Sequence, residues 1–216
     1  MFSSSTYRNR RQALAKQFTD NGLLLIFGNE ESPMNYTDNT YPFRQDSNFL
    51  YFAGLVDTGH FLIIDLASGT TTLCGDDLTL DHIVWMGSQP SMEEKTANIG
   101  AEQHLSYQEG LAAISKAAKA KQTIHYLPPY REERVTLLAE CLGQTAQVTR
   151  QGFSEQLCRA VIQLRSYKTS EEVAEMDKAV NITRAMHLAA MRSVAPGQRE
   201  STVAGIVEGI AIGGGG

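Results

Sequence analysis

The sequence predicts an α/β fold in which helices cover a mixed β-sheet, and three observations predict it. The continuous apolar run Leu23–Phe27, bounded by glycines, is typical of a strand buried on both faces. Phe61–Leu66 and Thr70–Cys74 are strand-like and are separated by Ala-Ser-Gly, which indicates a β-hairpin. Helical patterns alternate with these strands along the chain, and such alternation favours a sheet with helices packed on it.

The N-terminal elements begin with a helix predicted over Tyr7–Asp20, whose apolar residues share one face and which an Asn-Gly pair terminates. After the apolar strand, an aromatic run predicts a further strand over Phe49–Ala53, which Gly54 ends. With 42% apolar residues in 216, the chain has enough apolar side chains for a packed core.

Residues 110–164 continue the alternation of helices and strands. Helices are predicted over Gly110–Ala120, Arg131–Leu142 and Ser154–Leu164, and Gly143 is a suitable stop for the middle one. A strand is predicted over Thr123–Leu127, directly before a Pro-Pro pair. The sheet therefore gains another strand with a helix on either side of it in the sequence.

The C-terminal part of the chain has a purely helical pattern. Ser170 is predicted as the N-cap of a helix that begins with two glutamates and runs to about Val194, and a second helix spans Glu200–Ile212. Two helices without strands cannot form a mixed-sheet domain. We therefore predict an N-terminal domain over residues 1–163, and a linker with the first helices of another domain over residues 164–216.

Charge and cysteine content restrict the class of function. The net charge of −5 argues against nucleic-acid binding, because phosphate contacts need clustered lysines and arginines. The one basic cluster, Arg8, Arg10 and Arg11, is predicted to lie on a solvated helix face. Three cysteines form no C-x-x-C pair, which favours a reducing compartment. The sequence contains no signal-peptide pattern and no apolar segment of membrane-spanning length, so we expect a cytoplasmic protein without membrane contact.

Motifs for metal ligation and nucleophilic catalysis are absent from the sequence. The five histidines lack the H-x-x-x-H and H-E-x-x-H spacings. Asp76 and Asp77 follow Gly75 at the end of the hairpin, a pattern typical of a solvated turn. His187 lies on the apolar side of a long predicted helix, which favours a hydrogen-bonded core histidine. We therefore assign no catalytic and no metal-binding residue to this chain.

The segment Tyr41–Gly54 combines five aromatic residues with a polar Arg-Gln-Asp-Ser cluster. Arg44 and Asp46 stand between apolar residues, so their burial would require them to be paired and hydrogen-bonded. We interpret the cluster as structural, because Arg and Asp can brace a loop through charge-assisted hydrogen bonds.

The same segment, Y-P-F-R-Q-D-S-N-F-L-Y-F-A-G, resembles the signature of the N-terminal domain of Xaa-Pro aminopeptidases. That domain precedes a pita-bread metallopeptidase domain, and related ones occur in prolidase and creatinase. Asp81–Gly87 is similar to the family's D/E-x-I-W-x-G segment, and Leu164–Val173 is similar to its R-x-x-K-S-x-x-E-(I/V) junction. The resemblance covers nearly the whole chain and implies a mixed sheet flanked by helices, with ribonuclease-H-like topology.

The resemblance also implies an activity for the parent protein. Such an enzyme removes the N-terminal residue from peptides whose second residue is proline, so proline-containing peptides are the expected partners. Two divalent ions, expected to be Mn²⁺, bridge a water or hydroxide and lower its pKa. The family's metal ligands are two aspartates, one histidine and two glutamates on the catalytic sheet, and no residue here matches them.

Several expectations for this chain follow from the resemblance. Residues 164–216 would be the linker and first helices of a truncated pita-bread catalytic domain. The chain alone would hold no metal cofactor and would be inactive. The N-terminal domain would shape one side of the substrate cleft and mediate homo-oligomerisation.

Trp85 is the one candidate for a direct role with substrate. A lone Trp at a strand end is usually a core residue. In the family that this chain resembles, a tryptophan at the matching place can reach the active site of a neighbouring subunit, where a rigid aromatic wall suits a peptide containing proline. Both interpretations, core residue and substrate-binding residue, stay open at this point.

Two alternatives of other classes also stay open. One is the N-terminal domain of a creatinase-like hydrolase that is not a peptidase. The other is a non-catalytic protein-binding module of the same fold, resembling the N-terminal domain of a histone chaperone subunit. The intact aromatic signature favours the aminopeptidase, and the sequence has no long acidic tract to support a module for basic partners.

Overall fold

The computed structural model describes residues 2–215 and divides into two compact units, one ending at Ser166 and one beginning at Tyr167. The strands of the first unit are β1 (Leu23–Phe27), β2 (Pro33–Tyr36), β3 (Asn39–Thr40), β4 (Phe61–Asp65), β5 (Thr71–Cys74), β6 (Gln103–Leu105) and β7 (Ile124–Tyr126). Its helices are α1 (Ser4–Ala15), α2 (Ser47–Ala53), α3 (Leu80–Met86), α4 (Met92–Ile99), α5 (Tyr107–Lys119), α6 (Glu132–Leu142), α7 (Ala146–Gln151) and α8 (Glu155–Ser166).

The main sheet has five strands in the order β6-β5-β4-β1-β7, and β2 and β3 form a separate two-stranded ribbon. Strand β1 pairs antiparallel with β4 and parallel with β7, so that Leu25 lies opposite Ile63 on one side and Tyr126 on the other. The β4–β5 pair is antiparallel and the β5–β6 pair is parallel. The predicted mixed sheet, the buried strand β1 and the β4–β5 hairpin are therefore confirmed.

Helices cover both faces of this sheet, because the side chains of β1 alternate between two apolar clusters. Leu24 and Ile26 pack with residues of α1, α2, α4 and α8. Leu23 and Leu25 pack with residues of α5 and α6 on the opposite face. The unit thus has three layers, and the carboxyl ends of β1 and β7 meet at one edge of the middle layer.

The segment Phe49–Ala53 is helical, so the predicted strand at this place is wrong. Asp46 caps the new helix α2, accepting hydrogen bonds from the backbone N–H groups of Asn48 and Phe49 at 2.8 and 3.0 Å. Gly54 ends it in the left-handed conformation, with φ of 72°. The aromatic side chains suit a strand, but the two caps and the burial of one helical face decide the conformation.

Two arginines of the basic cluster are buried, which contradicts the predicted solvated face. Arg11 is only 2% exposed, and its guanidinium donates four hydrogen bonds inside the protein. Arg10 donates to the carbonyl of Tyr51 at 2.9 Å and stacks on that ring at 4.1 Å. Only Arg8 is exposed.

Helix α1 ends at Ala15, earlier than predicted. After it, the N–H groups of Gln17 and Phe18 bond to carbonyls three residues back, which forms a tighter turn than an α-helix. Phe18 lies beyond the helix and is still buried, with its ring 4.7 Å from that of His125. The short elements β2, β3, α3, α4, β6 and α7 have weak periodicity and were not predicted.

The second unit consists of α9 (Ser170–Ser193) and α10 (Glu200–Gly213), which pack against each other. The N-cap of α9 is Thr169 and not the predicted Ser170, and Glu172 forms a capping box with Thr169. Both helices are fully within the described residues, and neither contains a buried residue. His187 is exposed, so the predicted core histidine is wrong.

Candidate functional site

Trp85 lies on the short helix α3, not at a strand end, and 86% of its surface is exposed. Thr79 caps the start of the helix, and Gly87 ends it with φ of 78°. Val84 and Met86 beside it are also exposed. The core interpretation of Trp85 is therefore wrong in this structure, and α3 presents an apolar surface to solvent.

Gln45 is the buried polar residue of the aromatic segment, with 5% of its surface exposed. Its Oε1 accepts hydrogen bonds from the backbone N–H groups of Asn29 at 2.6 Å and Asp46 at 2.8 Å, and its Nε2 donates to the carbonyl of Asp57 at 2.6 Å. Arg44 is exposed, so the predicted Arg–Asp brace is wrong. The amide of Gln45 fixes the loop instead.

Tyr130 connects this loop to the segment that follows β7. Its hydroxyl lies 2.9 Å from Oδ1 of Asn29 and 3.0 Å from Oδ2 of Asp46, and these two acceptors share its one proton. Burial raises the pKa of Tyr130, and the neighbouring Asp46 carboxylate raises it further. The phenol therefore stays protonated and acts as a hydrogen-bond donor.

Arg134 on α6 holds the end of β1. Its guanidinium donates to the carbonyl of Gly28 at 2.8 Å and to Oε1 of Glu30 at 3.4 Å, and it stacks on the ring of Phe27 at 4.3 Å. Burial raises the pKa of Glu30, and the pairing with Arg134 opposes that effect. Arg131 donates through Nη1 to the carbonyl of Glu30 at 2.7 Å.

A cavity of about 360 Å³ opens at the carboxyl ends of the parallel strands β1 and β7. Its walls are mostly apolar and its polar side chains gather at one side. The apolar wall comprises Leu25, Phe27, Leu127, Pro128, Pro129 and Leu138. The polar side comprises Asn29, Asp46, Asn48, Tyr130, Arg131 and Arg134. A concave apolar space with a few converging polar groups is the usual form of a small-molecule site.

A second polar cluster joins α4 to the segment before β4, where Lys95 and His60 are buried and Asp57 is partly exposed. Nζ of Lys95 lies 3.0 Å from Oδ2 of Asp57 and 3.4 Å from Nε2 of His60. Burial lowers the pKa of His60, and the positive charge of Lys95 lowers it further. His60 is therefore neutral at physiological pH, and the Lys95–Asp57 ion pair carries the charge.

A third group joins the ends of three elements. His125 on β7 lies 2.9 Å from Oγ of Ser154 through Nδ1 and 3.1 Å from Oδ2 of Asp20 through Nε2. The Ser154 hydroxyl also accepts the backbone N–H of Leu157 in the first turn of α8. We interpret these contacts as structural, since they fasten α8 to β7.

The remaining candidates from the sequence have structural roles. Asp76 accepts the backbone N–H of Tyr107, and Asp77 accepts that of Met92, so each fixes the start of a helix. Burial raises the pKa of the Cys74 thiol to about 12, which keeps it from acting as a nucleophile.

The residues from 2 to 215 contain no group of three or more His, Cys, Asp or Glu side chains that could hold a metal ion. They therefore do not fit the five-ligand site for two divalent ions that the resemblance implies. Within the same residues, no helix is both long enough and apolar enough to cross a membrane.

Sequence reasoning missed Tyr130, Arg131 and Arg134, which line the cavity. The available signal was the pair of segments that follow two apolar strands, Gly-Asn-Glu after β1 and Pro-Pro-Tyr-Arg after β7. Polar residues at the carboxyl ends of neighbouring parallel strands converge. The parallel pairing of these two strands, separated by nearly a hundred residues, cannot be read from either segment alone.

Comparison with known proteins gives one family match. The sequence model for "Aminopeptidase P, N-terminal domain" matches residues 7–125, more than half of the chain. Among curated relatives, the Xaa-Pro aminopeptidase of Escherichia coli K12 is 24% identical over 206 residues, which is 92% of this chain and 46% of the relative. That of Haemophilus influenzae is 26% identical over 200 residues, which is 90% of this chain and 44% of the relative. The chain spans about half the length of the curated relatives it matches.

Solved structures show the same fold. A single-alanine variant of E. coli aminopeptidase P matches with a TM-score of 0.81 and 22% identity, over 99% of this chain and 50% of that chain. Zn-substituted E. coli aminopeptidase P in complex with product matches with a TM-score of 0.78 and 22% identity, over 99% of this chain and 50% of that one.

Proposed function

Because the chain belongs to the aminopeptidase P N-terminal domain family, we propose that its parent protein is a metal-dependent Xaa-Pro aminopeptidase. The parent removes the N-terminal residue from peptides whose second residue is proline. The family match over residues 7–125 carries this proposal, and the names of the curated relatives support the reaction. The second unit, α9 and α10, is then the beginning of the catalytic domain.

The N-terminal domain shapes one side of the substrate cleft and mediates homo-oligomerisation. The exposed apolar surface of α3 supports this role, since such surfaces commonly mark contacts between proteins. Trp85 is the substrate-binding residue on this surface. Its ring is solvent-exposed and its helix is capped at both ends, which suits an aromatic wall against a proline ring.

In the proposed parent, two divalent ions, Mn²⁺ by resemblance, would lower the pKa of a water or hydroxide when bound. We propose that the ligands of this site belong to the catalytic domain and that the chain alone is inactive. The lack of a cluster of three or more His, Cys, Asp or Glu side chains within residues 2–215 supports this proposal. The three cysteines are free, in keeping with the proposed cytoplasmic location.

The role of Trp85 is tested by Trp85→Ala in the parent. We expect kcat/KM for an Xaa-Pro peptide to fall about tenfold or more, while the free energy of unfolding changes by less than about 0.5 kcal/mol because the side chain is exposed. Val84→Ala, at a neighbouring position that is 81% exposed, is the matched control and should leave kcat/KM nearly unchanged. Equal kinetics of Trp85→Ala and the wild type would contradict the substrate role.

Inactivity of the chain is tested by incubating it with Mn²⁺, desalting it and measuring its metal content and its release of the first residue from an Xaa-Pro peptide. We expect neither retained metal nor turnover, because the described residues offer no ligand cluster. Retention of stoichiometric metal together with turnover would contradict the proposed inactivity of the chain. Hydrolysis of creatine and not of Xaa-Pro peptides by the parent would contradict the proposed reaction itself.

A further inference from the structure

The proposed function assigns no role to the groove at the carboxyl ends of β1 and β7. We call it the β1–β7 groove; it comprises the 360 Å³ cavity and two adjoining cavities. Arg131 lines all three, and Asn29, Asp46 and Tyr130 line two of them. The groove is therefore one continuous surface, with an apolar end and a polar end.

The apolar end is rigid. Pro128 and Pro129 restrict the backbone on one side, and Phe27 is held beneath the stacked guanidinium of Arg134 on the other. A preformed apolar space loses little conformational entropy when a ligand enters it, which favours binding. The ligand that fits this end has a compact aliphatic or aromatic group.

The polar end offers unused donors to an anion. Arg44 and Arg131 both line the two adjoining cavities. Within residues 2–215, no hydrogen bond or ion pair is made by the Arg44 guanidinium, and the contacts of Arg131 all use Nη1, which leaves Nε and Nη2 available. Guanidinium groups bind carboxylates through paired N–H donors.

The two carboxylates of the groove are already engaged. Asp46 accepts hydrogen bonds at Oδ1 from the first turn of α2 and at Oδ2 from Tyr130. Glu30 pairs with Arg134. Glu133 does not line the groove, but its carboxylate pairs with Nη1 of Arg131 at 3.3 Å. Among the lining residues, three arginines, Arg44, Arg131 and Arg134, accompany two carboxylates that are already hydrogen-bonded.

From this arrangement we propose that the β1–β7 groove binds an apolar carboxylate, with its hydrocarbon group in the 360 Å³ cavity and its carboxylate on Arg44 and Arg131. The carboxyl terminus of a peptide that ends in an apolar residue and a free aryl or alkyl carboxylic acid share this chemistry. All the residues that line the groove belong to the unit that ends at Ser166.

Titration of the ¹⁵N-labelled 216-residue chain tests the proposal with four probes. These are N-acetyl-phenylalanine, its amide, N-acetylglycine and 3-phenylpropionate. We expect saturable shifts of the backbone resonances of Gly28, Asn29, Tyr130 and Arg131 with N-acetyl-phenylalanine. The amide lacks the charge and N-acetylglycine lacks the apolar group, so each should bind at least about tenfold more weakly. Tighter binding of N-acetyl-phenylalanine than of 3-phenylpropionate identifies a peptide terminus as the source, and the reverse identifies a free acid.

Arg44→Gln tests the anion contact without disturbing the fold, because the Arg44 side chain is exposed and makes no hydrogen bond or ion pair within residues 2–215. The backbone carbonyl of Arg44, which accepts a hydrogen bond from Nδ2 of Asn29 at 2.9 Å, is kept in the variant. The substitution should weaken the binding of N-acetyl-phenylalanine about tenfold. Arg184→Gln, an exposed arginine of the second unit, is the matched control and should leave the affinity unchanged. Equal affinity for the acid and its amide, unchanged binding by Arg44→Gln, or shifts outside the groove would each overturn the proposal. These measurements are made without turnover, so their outcome is separate from that of the proposed peptidase function.

Discussion

Arg11 joins three elements of the N-terminal unit through one buried guanidinium group. It donates to the carbonyls of Phe52, Ile99 and Gly100 at 2.8 to 2.9 Å, and to the hydroxyl of Thr71 at 3.3 Å. These three carbonyls stand at the C-terminal ends of α2 and α4, where helices leave carbonyl groups without partners. Burial lowers the pKa of Arg11 to about 10, which still leaves it charged at neutral pH.

Arg11→Met should therefore destabilise the protein by at least about 3 kcal/mol, since several buried acceptors lose their donor and each costs about 1–3 kcal/mol. Chemical denaturation measures the change. Arg159→Met is the control at a side chain that is 82% exposed, and it should change stability by less than about 0.5 kcal/mol. Similar effects of the two substitutions would show that the Arg11 contacts contribute little.

The lowered pKa of His60 predicts the sign of a pH dependence in the stability of the N-terminal unit. Its pKa is lowered in the folded protein by burial and by Lys95, so the unfolded chain takes up the proton more readily, near the ordinary value of 6.5. The contribution of His60 to the free energy of unfolding is thus fully present above about pH 6.5. It is lost as the pH falls from about 6.5 towards the lowered pKa. The pKa of Glu30 is raised in the folded protein, so at lower pH the folded state binds a proton more readily than the unfolded chain does. Glu30 therefore adds stability as the pH falls, which is opposite to the effect of His60.

Urea denaturation at pH 7.5 and pH 5.5 checks this expectation. The wild type should be less stable at the lower pH, and His60→Gln should lose less stability over the same interval. Contributions from Glu30 and other groups are common to both chains and cancel in the comparison. A variant with the full pH dependence of the wild type would exclude His60 as the cause.

Among the elements, strands with an uninterrupted apolar run are read reliably from the sequence, and short capped helices are not. The apolar run Leu23–Phe27 forms a β-strand because both of its faces are covered. Phe49–Ala53 has similar composition, but Asp46 before it and Gly54 after it supply the two caps of a helix. The capping pattern is visible in the sequence, yet its outcome depends on tertiary packing that the sequence does not display.

Gly54, at the end of α2, and Gly69, in the turn between β4 and β5, allow a matched test of the packing around a glycine. Both have φ near 72°, a conformation that costs a non-glycine residue about 1 kcal/mol. A Cβ at Gly69 would meet nothing within 4 Å, whereas a Cβ at Gly54 would lie 2.1 Å from Cζ of Tyr7. Gly54→Ala should therefore destabilise by about 1–3 kcal/mol more than Gly69→Ala in thermal or chemical denaturation. Equal losses would show that Tyr7 moves aside without cost.

At the scale of the whole molecule, the sequence predicts the layered domain and its relationship to a known family, but not the groove. The layers follow from local apolar patterns, which each element carries by itself. The groove depends on Tyr130 and Arg131 meeting Asn29 and Asp46 across the sheet edge, and no local pattern reports that meeting. Trp85 was identified through the family resemblance, and only the structure shows that it is exposed.

The second unit should drive self-association of the chain. Met176, Val180 and Met191 on α9 are more than half exposed and lie at helical spacing on one face. Such a surface gains free energy when it is buried, at about 25 cal/mol per Å². Light scattering over a concentration series should show weaker association when all three residues are replaced by Gln. Circular dichroism checks that the helix persists. A monomeric wild type at every concentration would contradict this prediction.

The core of the N-terminal unit also determines when a newly synthesised chain can fold. Leu14 of α1 packs in the same cluster as Leu157 and Val161 of α8, and β1 lies between β4 and β7. A ribosome that has made only the first hundred residues has therefore produced a sheet with an open edge and an uncovered apolar face. Open strand edges and exposed apolar surface promote aggregation. The complete core can therefore form only once α8 has left the ribosome, and until then the open strand edge and the uncovered apolar face remain exposed to other chains.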